Sequence, residues 1–156
     1  MEFTHKYVCS AENKTVELGV ALARIAKKGD IFLLDGTLGM GKTVFARAFI
    51  QELSDAEEIP SPTFTLLQCY PSRKSEIYHY DLYRLKNPVE IFELGIEEAL
   101  YGGISLIEWP EKMENFRPKD AFNIKILPDV NDNSSRIVEI SVVSKEKNDR
   151  LNAMEF

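Results

Sequence analysis

Cysteine is scarce in this chain: Cys9 and Cys69 are its only two. Two thiols so far apart form neither a metal-ligand cluster nor a redox pair, and they are expected as ordinary reduced side chains of a cytoplasmic protein. Long apolar runs are absent, which excludes a helix that crosses a bilayer. The first residues, Met1 to Lys6, lack the charged-then-apolar order of a signal peptide. Positive charge is in deficit, with 19 Lys and Arg against 25 Asp and Glu for a net charge of −6. That balance excludes broad electrostatic adhesion to nucleic acid or to an anionic membrane, though a local basic patch for an RNA-bearing partner stays compatible with it. No internal repeat or low-complexity segment occurs.

What is present is enough for one domain: 156 residues, of which 44% are hydrophobic. The domain is expected over residues 1–144, followed by a polar C-terminal tail, 145–156, as a short helix or a loose end. Ser10 is placed to cap a helix reaching Lys28, with Leu18, Leu22 and Ile25 at helical spacing. Ile31 to Asp35 is too short and too apolar for a helix and suits a buried strand. A helix is expected from Lys42 to Leu53 and another from Pro88 to Leu100. Strands are expected at Phe64–Tyr70, Ile77–Asp81, Ile104–Glu108, Phe122–Leu127 and Arg136–Val143. Alternation of strands and helices indicates an α/β fold with a mostly parallel central sheet, the last two strands pairing as an antiparallel edge.

Between the first strand and the helix that follows it lies Gly36-Thr37-Leu38-Gly39-Met40-Gly41-Lys42-Thr43, which fits G-x-x-x-x-G-K-[ST]. The glycines let the backbone approach phosphate without a Cβ in the way. The loop's N–H groups form an anion-binding nest at the positive end of the helix dipole, with Val44 continuing the first turn. Lys42 is expected to reach the β- and γ-phosphates and the Thr43 hydroxyl to ligate Mg²⁺. The pattern arises by chance in roughly one in two hundred chains of this length, and its strand-loop-helix setting makes accident rarer still. Nucleoside triphosphate binding is therefore the first expectation.

Such a loop works with an acid at the end of a neighbouring strand. Glu108 ends the apolar run Ile104 to Ile107 and is the better metal-side candidate. Asp81 ends a more polar run and is expected either to support the metal-side groups from behind or to position water, or else to pair with Arg84. Pro60 and Pro62 hold the connector extended, either as a plain rigid turn, which the local residues favour, or as a nucleotide-sensing segment whose Ser61 and Thr63 hydroxyls are available to phosphate or metal. Trp109 adjoins Glu108, either as core or as a wall of the site.

Four segments taken together, Gly36 to Thr43, Ser61-Pro62-Thr63-Phe64-Thr65-Leu66, His79-Tyr80-Asp81-Leu82-Tyr83-Arg84-Leu85 and Ile107-Glu108-Trp109-Pro110, resemble the TsaE family in order and spacing, with Glu93-Leu94-Gly95-Ile96 between the last two. The resemblance spans about residues 10 to 143. It implies a three-layer P-loop NTPase fold and slow, Mg²⁺-dependent ATP hydrolysis. That hydrolysis would serve threonylcarbamoyl modification of adenosine-37 in tRNAs that read codons starting with A. It implies TsaD and TsaB as partners, with tRNA reached through that complex. It places Thr43 and Glu108 on Mg²⁺, and puts Lys42, Asp81, Thr63 and Trp109 in the catalytic or partner-facing surround. Glu12 would border the adenine base and Arg136 would lie near the nucleotide. Met40 departs from the small residues usual in the loop, and the tail from Lys145 matches nothing in the family.

Two other readings come from the residues. A small-molecule kinase would need clustered arginines in a lid, and here the arginines are scattered. A nucleotide-gated interaction module with negligible turnover would use the Ser61–Thr65 segment alone. A GTPase is disfavoured, because Asn13-Lys14 is followed by Thr15 and Val16 rather than by the guanine-reading aspartate pattern.

Overall fold

A computed structural model describes residues 2–36 and 41–156. Its centre is the apolar strand β2 (Ile31–Asp35), buried on both faces. Phe32 and Leu34 face one core cluster and Ile31 and Leu33 the other. That two-sided burial is why the run is continuous rather than alternating. β2 pairs in parallel with β5 (Ile104–Glu108) and β6 (Phe122–Asp129), and β5 pairs in parallel with β4 (Ile77–Asp81). β3 (Leu67–Tyr70) closes one edge antiparallel to β4. On the other side β7 (Asp132–Val142) pairs antiparallel to β6, and β1 (Phe3–Cys9) antiparallel to β7. The order is β1-β7-β6-β2-β5-β4-β3. This is the α/β arrangement expected, parallel in the middle and antiparallel outward.

Helices α1 (Glu12–Ile25), α2 (Lys42–Leu53) and α4 (Lys145–Ala153) cover one face around Phe32, which stacks on Phe122 at 4.7 Å and meets Phe49 edge-on at 4.9 Å. The opposite face carries α3 (Ile96–Gly102) and two 3-10 segments, Pro88–Leu94 and Pro110–Phe116. The C-terminal segment is thus docked helix: Leu151 is buried, and Arg150 donates to both carboxylate oxygens of the buried Asp30, at 2.6 and 2.9 Å.

Several expectations are corrected. β1 carried no expectation, yet Phe3, His5, Tyr7 and Cys9 turn inward at period two, so β1 rather than β7 is the edge. Ala11, not Ser10, occupies the N-cap of α1, with no side-chain cap bond. The helix expected over Pro88–Leu100 is broken at Gly95, whose φ of 68° ends the 3-10 segment before α3 begins. Phe64 to Leu66 is a turn rather than strand: Leu66 has φ 66° and donates its N–H to Pro62 O at 2.7 Å.

α1 and α2 pack backbone to backbone at Gly19, where an added Cβ would stand 2.9 Å from Phe45 O and 3.1 Å from Ala48 Cβ. Carbonyl and helix backbone cannot yield cheaply. Gly19→Ala is expected to cost about 1–3 kcal/mol, as overpacking of a tight contact does, read as a lower urea midpoint at unchanged slope. An unchanged midpoint would mean that the helices separate freely.

Candidate functional site

Six chain segments converge on one cavity of about 590 Å³ above the C-terminal ends of the parallel strands, where α/β sheets place their ligands. The start of α1 contributes Ala11, Glu12 and Thr15, and the start of α2 contributes Gly41 to Val44. The connector supplies Ser61 and Thr63; the ends of β4 and β5 supply Asp81, Glu108 and the adjoining Trp109; β7 supplies Ser134 and Arg136. Every expected site residue from Gly41 onward therefore lies on one surface, together with Glu12. Thr37, Leu38, Gly39 and Met40, expected to contact phosphate by their backbone, lie outside the described residues. Gly36 ends the described segment before them.

Gly41 caps α2 with φ 95° and ψ 14°, a left-handed conformation that a Cβ disfavours. The loop thereby enters the helix with its first N–H groups unpaired by side chains, since α2 has no side-chain cap bond. Lys42, in the first turn, is only 5% exposed. Its ammonium sits 3.6 Å from the centre of the Trp109 ring and has no hydrogen-bond partner among the described residues. Burial lowers its pKa, against the opposing pull of Glu108, Glu111, Asp81 and Asp35. A buried cation with three unused donors is costly unless an anion completes it. The chemistry of this cradle fits phosphate.

β4 and β5 run in register with Asp81 opposite Glu108, so both carboxylates emerge at the same level and on the same face. Asp81 Oδ2 accepts from the Thr63 hydroxyl at 3.1 Å, and Oδ1 accepts from the Tyr83 N–H at 3.0 Å. The Thr63 proton being spent there, Ser61 Oγ donates to Thr63 Oγ1 at 2.8 Å. Asp81 does not pair with Arg84, whose guanidinium instead lies 4.5 Å from the centre of the exposed Phe64 ring. Glu108, 3% exposed, is bonded to His79 Nε2 at 2.7 Å. Trp109 holds a left-handed backbone (φ 60°, ψ 50°), which turns its ring over Lys42 and against Tyr83, centroids 4.9 Å apart. It is a wall of the site as well as a core neighbour. Arg136 donates to the carbonyls of Asn133 and Ser135, both at 2.9 Å.

Among the described residues no group of three or more His, Cys, Asp or Glu side chains is arranged to hold an ion. Mg²⁺ does not require one, since it is commonly bound by one or two protein oxygens together with phosphate and water. Thr43 and Glu108 on the same cavity wall fit that donor set.

Thr15, Ser134 and His79 belong to the site or its support and were missed in the sequence. Thr15 lies one helical turn after Glu12, which was the available signal. Ser134 and His79 are brought in only by strand register.

The comparisons with known proteins agree along nearly the whole chain. The family model described as "Threonylcarbamoyl adenosine biosynthesis protein TsaE" matches residues 9–138. A tRNA threonylcarbamoyladenosine biosynthesis protein TsaE from Rickettsia conorii is 40% identical over 151 residues, covering 96% of this chain and 85% of the relative. The protein of that name from Bacillus subtilis is 35% identical over 114 residues, covering 72% and 71%. The crystal structure of Bacillus subtilis YdiB superposes with a TM-score of 0.81 at 25% identity, covering 98% of this chain and 95% of that one. Among the described residues no helix is long and apolar enough to cross a membrane.

Proposed function

The chain belongs to the TsaE family of tRNA threonylcarbamoyladenosine biosynthesis, and from that premise we propose that it binds ATP with Mg²⁺ and hydrolyses it slowly, as the partner of a TsaD–TsaB assembly that modifies adenosine-37 of tRNA. The observation that supports this reading most is the Lys42 ammonium, buried in the cavity and without a hydrogen-bond partner among the described residues. A triphosphate is the ligand whose charge and reach suit it, because a polyanion can meet this cation and the N–H groups at the start of α2 together.

The residues divide the work by position. Lys42 and the amides at the start of α2 receive the β- and γ-phosphates. Glu12 and Arg136 line the same cavity and are assigned to the base and ribose, the Glu12 carboxylate accepting from the exocyclic amine of adenine. Thr43 and Glu108 are the two protein ligands offered to Mg²⁺, which when bound neutralises charge on the phosphate oxygens. Asp81, fixed by Thr63 and the Tyr83 N–H, faces the cavity beside Glu108 and is placed to orient the attacking water. The Ser61–Thr63–Asp81 chain of hydroxyls and carboxylate links the connector to this end of the pocket, so loss of the γ-phosphate is felt by the connector. The acidic balance favours tRNA contact through the partners, and the free thiols Cys9 and Cys69 suit a reducing cytoplasm.

ATP turnover measured on the chain alone and then with TsaD–TsaB tests the reading. Turnover is expected to be slow alone and faster in the assembly, and pull-down on TsaD–TsaB should differ between ATP and ADP. Failure to bind nucleotide in either setting would overturn it.

A further inference from the structure

His79 is not among the cavity-lining residues, yet its one side-chain hydrogen bond among the described residues goes to a residue that is. The β4–β5 register sets Asp81 opposite Glu108 and His79 opposite Leu106, which puts His79 one pleat below Glu108 on the same face of the sheet. The residue is 1% exposed. Its Nε2 lies 2.7 Å from Glu108 Oε2, and its Nδ1 has no hydrogen-bond partner among the described residues. A carboxylate only accepts, so Nε2 carries a proton and donates to it, while Nδ1 is left without a partner.

That imbalance is informative. Buried polar atoms retained for folding are nearly always satisfied, and an orphaned ring nitrogen costs its desolvation. An apolar side chain of similar volume, packed beside Ile77 and Leu106, would avoid the cost. The hydrogen bond to Glu108 is what sets the histidine apart from such a side chain. We propose that His79 is a positioning residue for the hydrolytic reaction: it holds the Glu108 carboxylate by Oε2 and so presents Oε1 to the cavity. The inference rests on Glu108 being the metal-side acid. His79 itself touches neither nucleotide nor metal and acts only by fixing the orientation of the ligand, as outer hydrogen-bond partners of metal ligands do.

The test compares His79→Leu, His79→Gln and His79→Asn in the full chain. The readouts are ATP turnover against Mg²⁺ concentration, binding of a fluorescent ATP analogue in EDTA, and the thermal midpoint. Gln can carry an N–H to the position of Nε2, whereas Asn is too short and Leu has none. The Leu variant is expected to lose about 10- to 100-fold in turnover or in Mg²⁺ half-saturation, with metal-free nucleotide binding unchanged. Gln should recover most of that loss and Asn should not. Added to Glu108→Gln, His79→Leu should have no further effect. A Leu variant with wild-type Mg²⁺ response overturns the proposal, and so does equal loss in Gln and Asn. If Leu does not fold, the contrast between Gln and Asn decides alone. Mg²⁺-dependent turnover that survives Glu108→Gln would instead mean that the reading of Glu108 has failed, and the role of His79 falls with it. Should Glu108→Gln abolish turnover while all three His79 variants behave as wild type, only the positioning role fails.

Discussion

Lys42→Met is expected to lose at least about a hundredfold in ATP affinity while folding as well as the native chain or better. The ammonium would make charge-assisted contacts to two phosphates. Each such contact contributes about 1.5–3 kcal/mol, so their joint loss is about 3 kcal/mol or more, and every 1.4 kcal/mol is tenfold in Kd. Without nucleotide the sign reverses. The native ammonium is buried, has no hydrogen-bond partner among the described residues and is depressed in pKa by its burial, so its removal relieves a desolvation cost. Methionine keeps the straight stem that packs under Trp109 and can set its sulfur near the ring. A thermal scan with and without ATP therefore separates the effects: the unliganded midpoint holds or rises, and the upward shift on adding ATP disappears. Wild-type affinity in this variant would contradict the phosphate cradle.

Glu108→Gln addresses the chemistry instead. The amide keeps the shape of the carboxylate and can still bond His79, so the fold should persist. What it lacks is the charge that would hold Mg²⁺ against the phosphates. Turnover is expected to fall by about 10²–10³-fold, the scale on which a single transition-state charge contact acts, while affinity for ATP in EDTA stays within about threefold. Single-turnover measurement distinguishes the two terms. If hydrolysis is undiminished, Asp81, at the same level on the neighbouring strand, becomes the metal-side acid and Glu108 a structural partner of His79.

The parts of this site that were legible in the sequence are those whose chemistry is local. Gly41, Lys42 and Thr43 occupy fixed offsets in one loop, and Asp81 and Glu108 each terminate a recognisable strand. The parts that were not legible depend on register or on approach between elements. His79 reads as an ordinary strand residue until β4 is aligned with β5, and Ser134 joins the cavity only because β7 folds back on β6. β1 escaped notice because its inward positions include His5 and Tyr7 rather than an unbroken apolar set. The strand expected from Phe64 failed for the converse reason. Phe64, Thr65 and Leu66 have strand-like side chains, yet the Pro62–Leu66 hydrogen bond curls the backbone, and Phe64 is left 81% exposed. The fold class survived these errors because the two-sided burial of β2 and β5 dominates the pattern.

The strand order carries a consequence for how the protein is made. β2 is completed at residue 35, but the neighbours that must flank it are β5, completed at residue 108, and β6, completed at residue 129. The central strand therefore waits, apolar on both faces, through most of translation. The binding cavity is finished only when Ser134 and Arg136 arrive on β7. Such late pairing of early segments slows folding and leaves the nascent chain dependent on holding factors. It also means that a truncated translation product lacks a complete cavity, so incomplete chains would be poorly equipped for the nucleotide binding proposed above.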